Sequence, residues 1–251
     1  MRRMIESAPL TETIMSASAA ATTSSPSGYN NAAFWERVWR QNGISVVVFF
    51  IIAYVIYGTQ PNVGAPGDAV MAFYVGNRTR ILLALLFSAG NVLNLLWFAA
   101  ALRTTLADAG RDGWGAAATA SSSAIGALFL VLFTISAASA YSIARSGNGA
   151  LVSGLNDTVW ALLVLSSFPR AMLIMSGSFG FWRAGRISNA LFGAGVAAVV
   201  LVLLGGFTWM SDGFLAPDGV YSRYISPLIC LAWIAVFGRV LQASPATRTG
   251  W

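Results

Sequence analysis

The chain has 251 residues, 57% of them hydrophobic and only 10% charged, with 15 basic and nine acidic side chains and no histidine. Typical soluble domains carry about 25% charged residues, so the composition points to the lipid bilayer and leaves room for one helical bundle without a separate soluble domain. The absences exclude much chemistry: histidine is the usual zinc and haem ligand and the neutral-pH proton shuttle, and the missing lysine rules out a retinal Schiff base.

Every basic residue is arginine, which fits a high-GC bacterial coding bias. The arginines stand in ones and twos near the ends of apolar runs, as in membrane proteins that set their orientation by charge. No basic run is present that could track a phosphate backbone, so no nucleic-acid partner is expected. The lone Cys230 lies in the last apolar run and can form no internal disulfide. No metal or cofactor is expected.

Residues 1–30 are rich in Ser, Ala and Thr, too polar to offset ordering entropy, and read as a disordered tail. Arg2 and Arg3 are followed by no apolar stretch of signal-peptide length. Residues 31–42 predict a short interfacial amphipathic helix. On it Phe34, Trp35, Val38 and Trp39 share one face, and Glu36, Arg37, Arg40 and Gln41 occupy the others, so the aromatic side should settle into the headgroup layer.

The stretch 43–242 predicts an all-α bundle of six transmembrane helices, with spans at 43–59, 81–102, 115–141, 158–179, 187–210 and 224–240, each close to the ~20 residues that cross a bilayer. Residues 243–251 form a C-terminal tail. The connection at 60–80 holds Pro61, Gly64, Pro66 and Gly67 and should be an irregular cap with structure of its own. Asn156-Asp157-Thr158 offers N-cap chemistry for the fourth span. Its sequon, like that at Asn77-Arg78-Thr79, carries no assigned role.

If the N-terminus is cytoplasmic, that side gathers Arg37, Arg40, Arg103, Arg111, Arg183, Arg186, Arg239 and Arg248, against Arg78, Arg80, Arg145 and Arg223 on the other. The balance favours an inner (plasma) membrane protein with both termini in the cytoplasm.

Phe73-Tyr-Val-Gly-Asn-Arg-Thr-Arg80 leading into the second span, and Ser167-Phe-Pro-Arg170 within the fourth, are similar to segments of six-helix bacterial integral membrane proteins of the domain-of-unknown-function type. The resemblance covers roughly 73–241. It implies the six-helix architecture and no activity.

One ionisable residue lies deep in a predicted span. Arg170 is twelve residues into the fourth helix, ~18 Å deep at ~1.5 Å per residue, and an arginine cannot shed its proton. Asn94, with Asn91 one turn away, and Ser121, Ser122 and Ser123 reach a similar level from two other helices, whereas Asp157 lies ~20 Å away along its own helix. The cluster Arg170, Asn91, Asn94 and Ser122 is therefore a candidate anion site. Equally, Pro169 removes a backbone donor from the Leu165 carbonyl, so Arg170, Ser166 and Ser167 could serve only to satisfy a kink.

The Asp68, Asp157, Asp212 and Asp218 carboxylates read as solvated loop charges. Three functions compete: a non-catalytic bundle binding membrane lipids, another membrane protein or a second copy of itself; a small-solute transporter or exporter built around Arg170; and a lipid-modifying enzyme. The last needs a base for which no histidine exists.

Overall fold

The computed structural model describes residues 32–243, with side chains from Gln41 onward. The expectations for the 1–30 tail, for the 243–251 tail beyond Ala243, and for Phe34, Trp35 and Trp39 as an interfacial anchor lie outside the described residues or side chains. The first residues of the opening helix belong to a separate N-terminal unit, and the chain from Glu36 onward is considered by itself below.

Helix α1 runs unbroken over Ala32–Tyr57, so no turn separates the expected 31–42 helix from the span that follows it. Gly43 does not terminate the helix because its missing side chain serves packing. A Cβ there would meet the Gly238 Cα and the Phe98 ring at 3.0 Å. The helix ends at Gly58, whose φ of 76° supplies the left-handed residue that closes many helices. A loop then leads to α2, Gly67–Gly76, and α3, Arg78–Asp108. Next come α4, Asp112–Tyr141, and a short 3-10 turn at Ile143–Ser146. Helix α5 spans Gly149–Leu165, α6 Ser167–Arg183 and α7 Asn189–Leu204. A π-turn at Tyr221–Ile225 opens into α8, Ser226–Ala243.

No strand occurs among the described residues. Five helical stretches are long and apolar enough to cross a membrane: Arg78–Asp108, Asp112–Ser146, Gly149–Arg183, Asn189–Phe207 and Tyr221–Ala243. The apolar part of α1, Gln41–Tyr57, falls just short of that length. Of the six expected spans, five are therefore matched.

The fourth expected span needs correction at its start. Asn156 is not its N-cap, because the helix begins about two turns earlier, where the Asn148 side chain accepts a hydrogen bond from the Leu151 amide. Both asparagines have capping chemistry, but Gly147, at φ 78°, turns the chain just before Asn148 and leaves the later asparagine inside the helix.

Helix α4 packs against α3, α5 and α6, while α6 also meets α7 and α8. The main core gathers Phe98, Leu102, Phe181, Trp233 and Phe237, and a smaller one beneath α2 joins Val70, Tyr74, Ile81 and Val152. Outward faces stay apolar: Val55 is 72% exposed, Leu86 73% and Val200 61%. Continuous apolar exposure of this kind is an aggregation hazard in water and costs nothing against lipid tails.

Two sets of contacts fix which loops share an end. Arg111, after α3, donates to the Arg183 carbonyl at the end of α6. Gly43, near the middle of α1, meets Gly238 in the last third of α8. At the opposite end, the loop after α1 bonds to Asn156, Asp157, Asp218 and Arg223.

A capped cavity as candidate functional site

Six of the helices leave a gap between them. The cavity has a volume of about 200 Å³ and a wall drawn from α1, α3, α4, α5, α6 and α8. Most of the wall is aliphatic or aromatic, including Phe50, Leu95, Ile125, Phe129 and Ile234. Among the described residues, two cations, Arg170 and Arg223, also line it, and no aspartate or glutamate does.

Arg170 owes its position to the interruption between α5 and α6. Pro169 lacks an amide hydrogen, so the regular ladder fails at this level and Ser166 stands as a single turn residue between the two helices. The Arg170 side chain folds back over that turn. Its Nε donates to the Ser166 carbonyl at 3.2 Å, and Nη2 reaches the Leu163 carbonyl at 3.3 Å and the Ser167 hydroxyl at 2.8 Å. Ser166 adds its own hydroxyl to the Leu163 carbonyl at 2.6 Å. The residue is only 4% exposed, and its guanidinium is thus part of the kink and part of the cavity wall.

Arg223 stands at the other end of the cavity, in the π-turn before α8. Its guanidinium carbon sits 4.8 Å from the centre of the Trp160 ring, a cation–π arrangement. The same group donates to the Gln60 carbonyl at 3.2 Å and to the Asn62 side-chain oxygen at 3.1 Å. These bonds draw the loop after α1 across the end of the cavity, where Thr59 and Gln60 complete the wall.

Helix α5 holds that loop from below. Asn156 is fully buried. It accepts from the Gln60 amide at 3.0 Å and donates to the Pro61 and Asn62 carbonyls at 3.3 and 3.2 Å. One turn on, the Trp160 indole donates to the same Pro61 carbonyl at 2.9 Å. Asp157 accepts from the Gly64 amide at 3.0 Å, and Asp218 from the Val63 amide at 3.2 Å. These two carboxylates are thus loop acceptors, not merely solvated charges. A proline- and glycine-rich segment cannot supply its own ladder, so its polar groups are met from helix side chains.

Of the residues singled out by sequence, Arg170 and Asn91 share this cavity. The Asn91 amide nitrogen donates to the Val46 carbonyl of α1 at 3.0 Å. Asn94 is half-buried on the same helix and Ser122 fully buried on α4, and neither reaches the wall. The four do not form one cluster because Arg170 turns back toward Leu163, away from the layer its backbone depth suggests.

Sequence reasoning does not single out Arg223, Gln60, Asn156 or Trp160 for this site. One usable signal was there: Asn156 and Trp160, four residues apart, occupy one helix face, and both carry a donor that an irregular loop could use. Compared with family models, curated proteins and solved structures, the chain matches none.

Proposed function

We propose that this chain is a non-catalytic membrane bundle of six spans, with α1 as the first, that houses a lipid-like molecule in the cavity between its helices. The observation that carries this is a largely apolar cavity of about 200 Å³ in a wall of six helices. Pockets that bury small molecules are built in this way, with apolar walls and a few polar groups for orientation. The arginine balance supports a bacterial inner membrane protein with both termini in the cytoplasm. Membrane lipids are its first partners, and another membrane protein or a second copy would meet its apolar outer faces.

Native mass spectrometry of gently extracted protein tests the reading. A bound apolar or amphipathic molecule is expected, and its occupancy should drop in Ser88→Leu and Ile125→Phe, which add bulk at the wall. Absence of any bound molecule, or unchanged occupancy in both variants, would overturn it.

A second reading, a small-solute transporter or exporter, draws on one feature. Transporters bind at helices interrupted near mid-membrane, and the turn at Ser166 interrupts α5–α6 beside the cavity. Flux of a labelled solute into proteoliposomes would favour it over static binding.

A further inference from the structure

We infer that the cavity takes a single-chain carboxylate of about eight to ten non-hydrogen atoms, its anionic end held on the free edge of Arg170. This rests on the cavity being a binding site at all, and adds the chemical class of what binds there.

The size follows from the volume. A cavity of roughly 150 Å³ is filled by one benzene, so about 200 Å³ holds about eight non-hydrogen atoms on the same scale. A two-chain lipid could place only part of one chain there. The body must be apolar because residues such as Phe50, Leu95, Phe129 and Ile234 meet it.

The head follows from counting donors. A guanidinium carries five N–H groups and no acceptor. Arg170 uses Nε once and Nη2 twice, on Ser166, Leu163 and Ser167. Among the described residues the two N–H groups of Nη1 have no hydrogen-bond partner, and Nη1 is not among the fully enclosed polar atoms without a partner. It therefore keeps access to open space, and Arg170 is part of the cavity wall. All three partners in use are neutral oxygens, so they leave the positive charge uncompensated, and among the described residues no carboxylate lines the cavity. An ion inside a membrane is strongly driven to pair, and a carboxylate oxygen on Nη1 would complete both the donors and the charge. Kink repair explains three of the donors and leaves the other two, with the charge, for a ligand.

Arg223 is a weaker anchor for the head. Its Nη2 is engaged by Gln60 and Asn62 and its face by Trp160, so it closes the far end of the cavity and adds positive potential there.

The test uses the full chain in nanodiscs of zwitterionic lipid. Thermal melting is followed against octanoate, 1-octanol and octyl phosphate. Octanoate should stabilise the wild type with a half-saturating concentration at least tenfold lower than that of octanol. In Arg170→Gln that advantage should vanish while the octanol shift persists. Equal shifts by octanoate and octanol in the wild type would overturn the anionic head and leave the apolar cavity standing. Stronger stabilisation by octyl phosphate than by octanoate would overturn the carboxylate in favour of a phosphate. No shift by any of the three would sink both this inference and the binding function beneath it. Should Arg170→Gln fail to fold, the wild-type comparison of octanoate with octanol decides alone.

Discussion

Gly43 on α1 and Gly238 on α8 touch backbone to backbone: a Cβ on Gly43 would stand 3.0 Å from the Gly238 Cα, and one on Gly238 would stand 3.3 Å from the Gly43 Cα. The first and last helices close on each other there with no side chain between them. Small residues allow such approaches where helices associate through packing alone in lipid.

Gly43→Val should lower the melting temperature, at a cost of about 1–3 kcal/mol for overpacking. Gly90→Ala is the control. Gly90 is exposed within α3, and a methyl group added there would meet nothing within 4 Å. Alanine at that position should be neutral or stabilise by up to ~1 kcal/mol through helix propensity. Equal melting of Gly43→Val and wild type would show that the two helices do not meet in this way.

Asn156→Leu should weaken the hold of α5 on the loop after α1. The Asn62 carbonyl and the Gln60 side-chain amide lose their Asn156 partner, while the Pro61 carbonyl keeps the bond from Trp160, so the loop should loosen without detaching. Thr158→Ala in the same sequon should change little, since the Thr158 hydroxyl bonds only to the Gly154 carbonyl on the exposed face of the helix. Limited proteolysis of the loop reads the difference. Equal protection in both variants would argue against the clamp.

Pro169 and Arg170 should be energetically coupled. Arg170→Leu removes the donors to Leu163 and Ser166 and should destabilise the protein more than Arg170→Gln, which keeps hydrogen-bonding capacity. In a Pro169→Ala background the Leu165 carbonyl regains its donor and the turn at Ser166 can straighten, which would give the Leu163 carbonyl a backbone partner, so Arg170→Leu should cost less. A double-mutant cycle should show coupling of about 0.5–3 kcal/mol, and additivity within error would separate the arginine from the kink.

Reporter fusions after Arg111 and Arg186 should read cytoplasmic, and those after Gly147 and Asp218 external. The Arg111–Arg183 contact already requires the first two sites to share an end. Opposite readings at both pairs would invert the proposed orientation.

Composition and run length alone point to the bilayer and to most of the helices. Runs of about 20 apolar residues can satisfy their backbone in lipid only as helices, so the spans from Ile81 to Val240 are legible without coordinates. Their ends are not, as Asn148 and Asn156 show: capping chemistry is local, but which of two caps is used depends on where the preceding turn directs the chain. Arg170 is legible as a deep charge because its place in an apolar run can be read from the sequence alone. Its partners emerge only in the folded bundle, since helix rise gives the depth of a Cα and not the direction of a long side chain. The cavity and its cap likewise exist only there. Gln60 lies 96 positions from Asn156 and 163 from Arg223 along the chain, and only helix packing brings such groups within hydrogen-bonding distance.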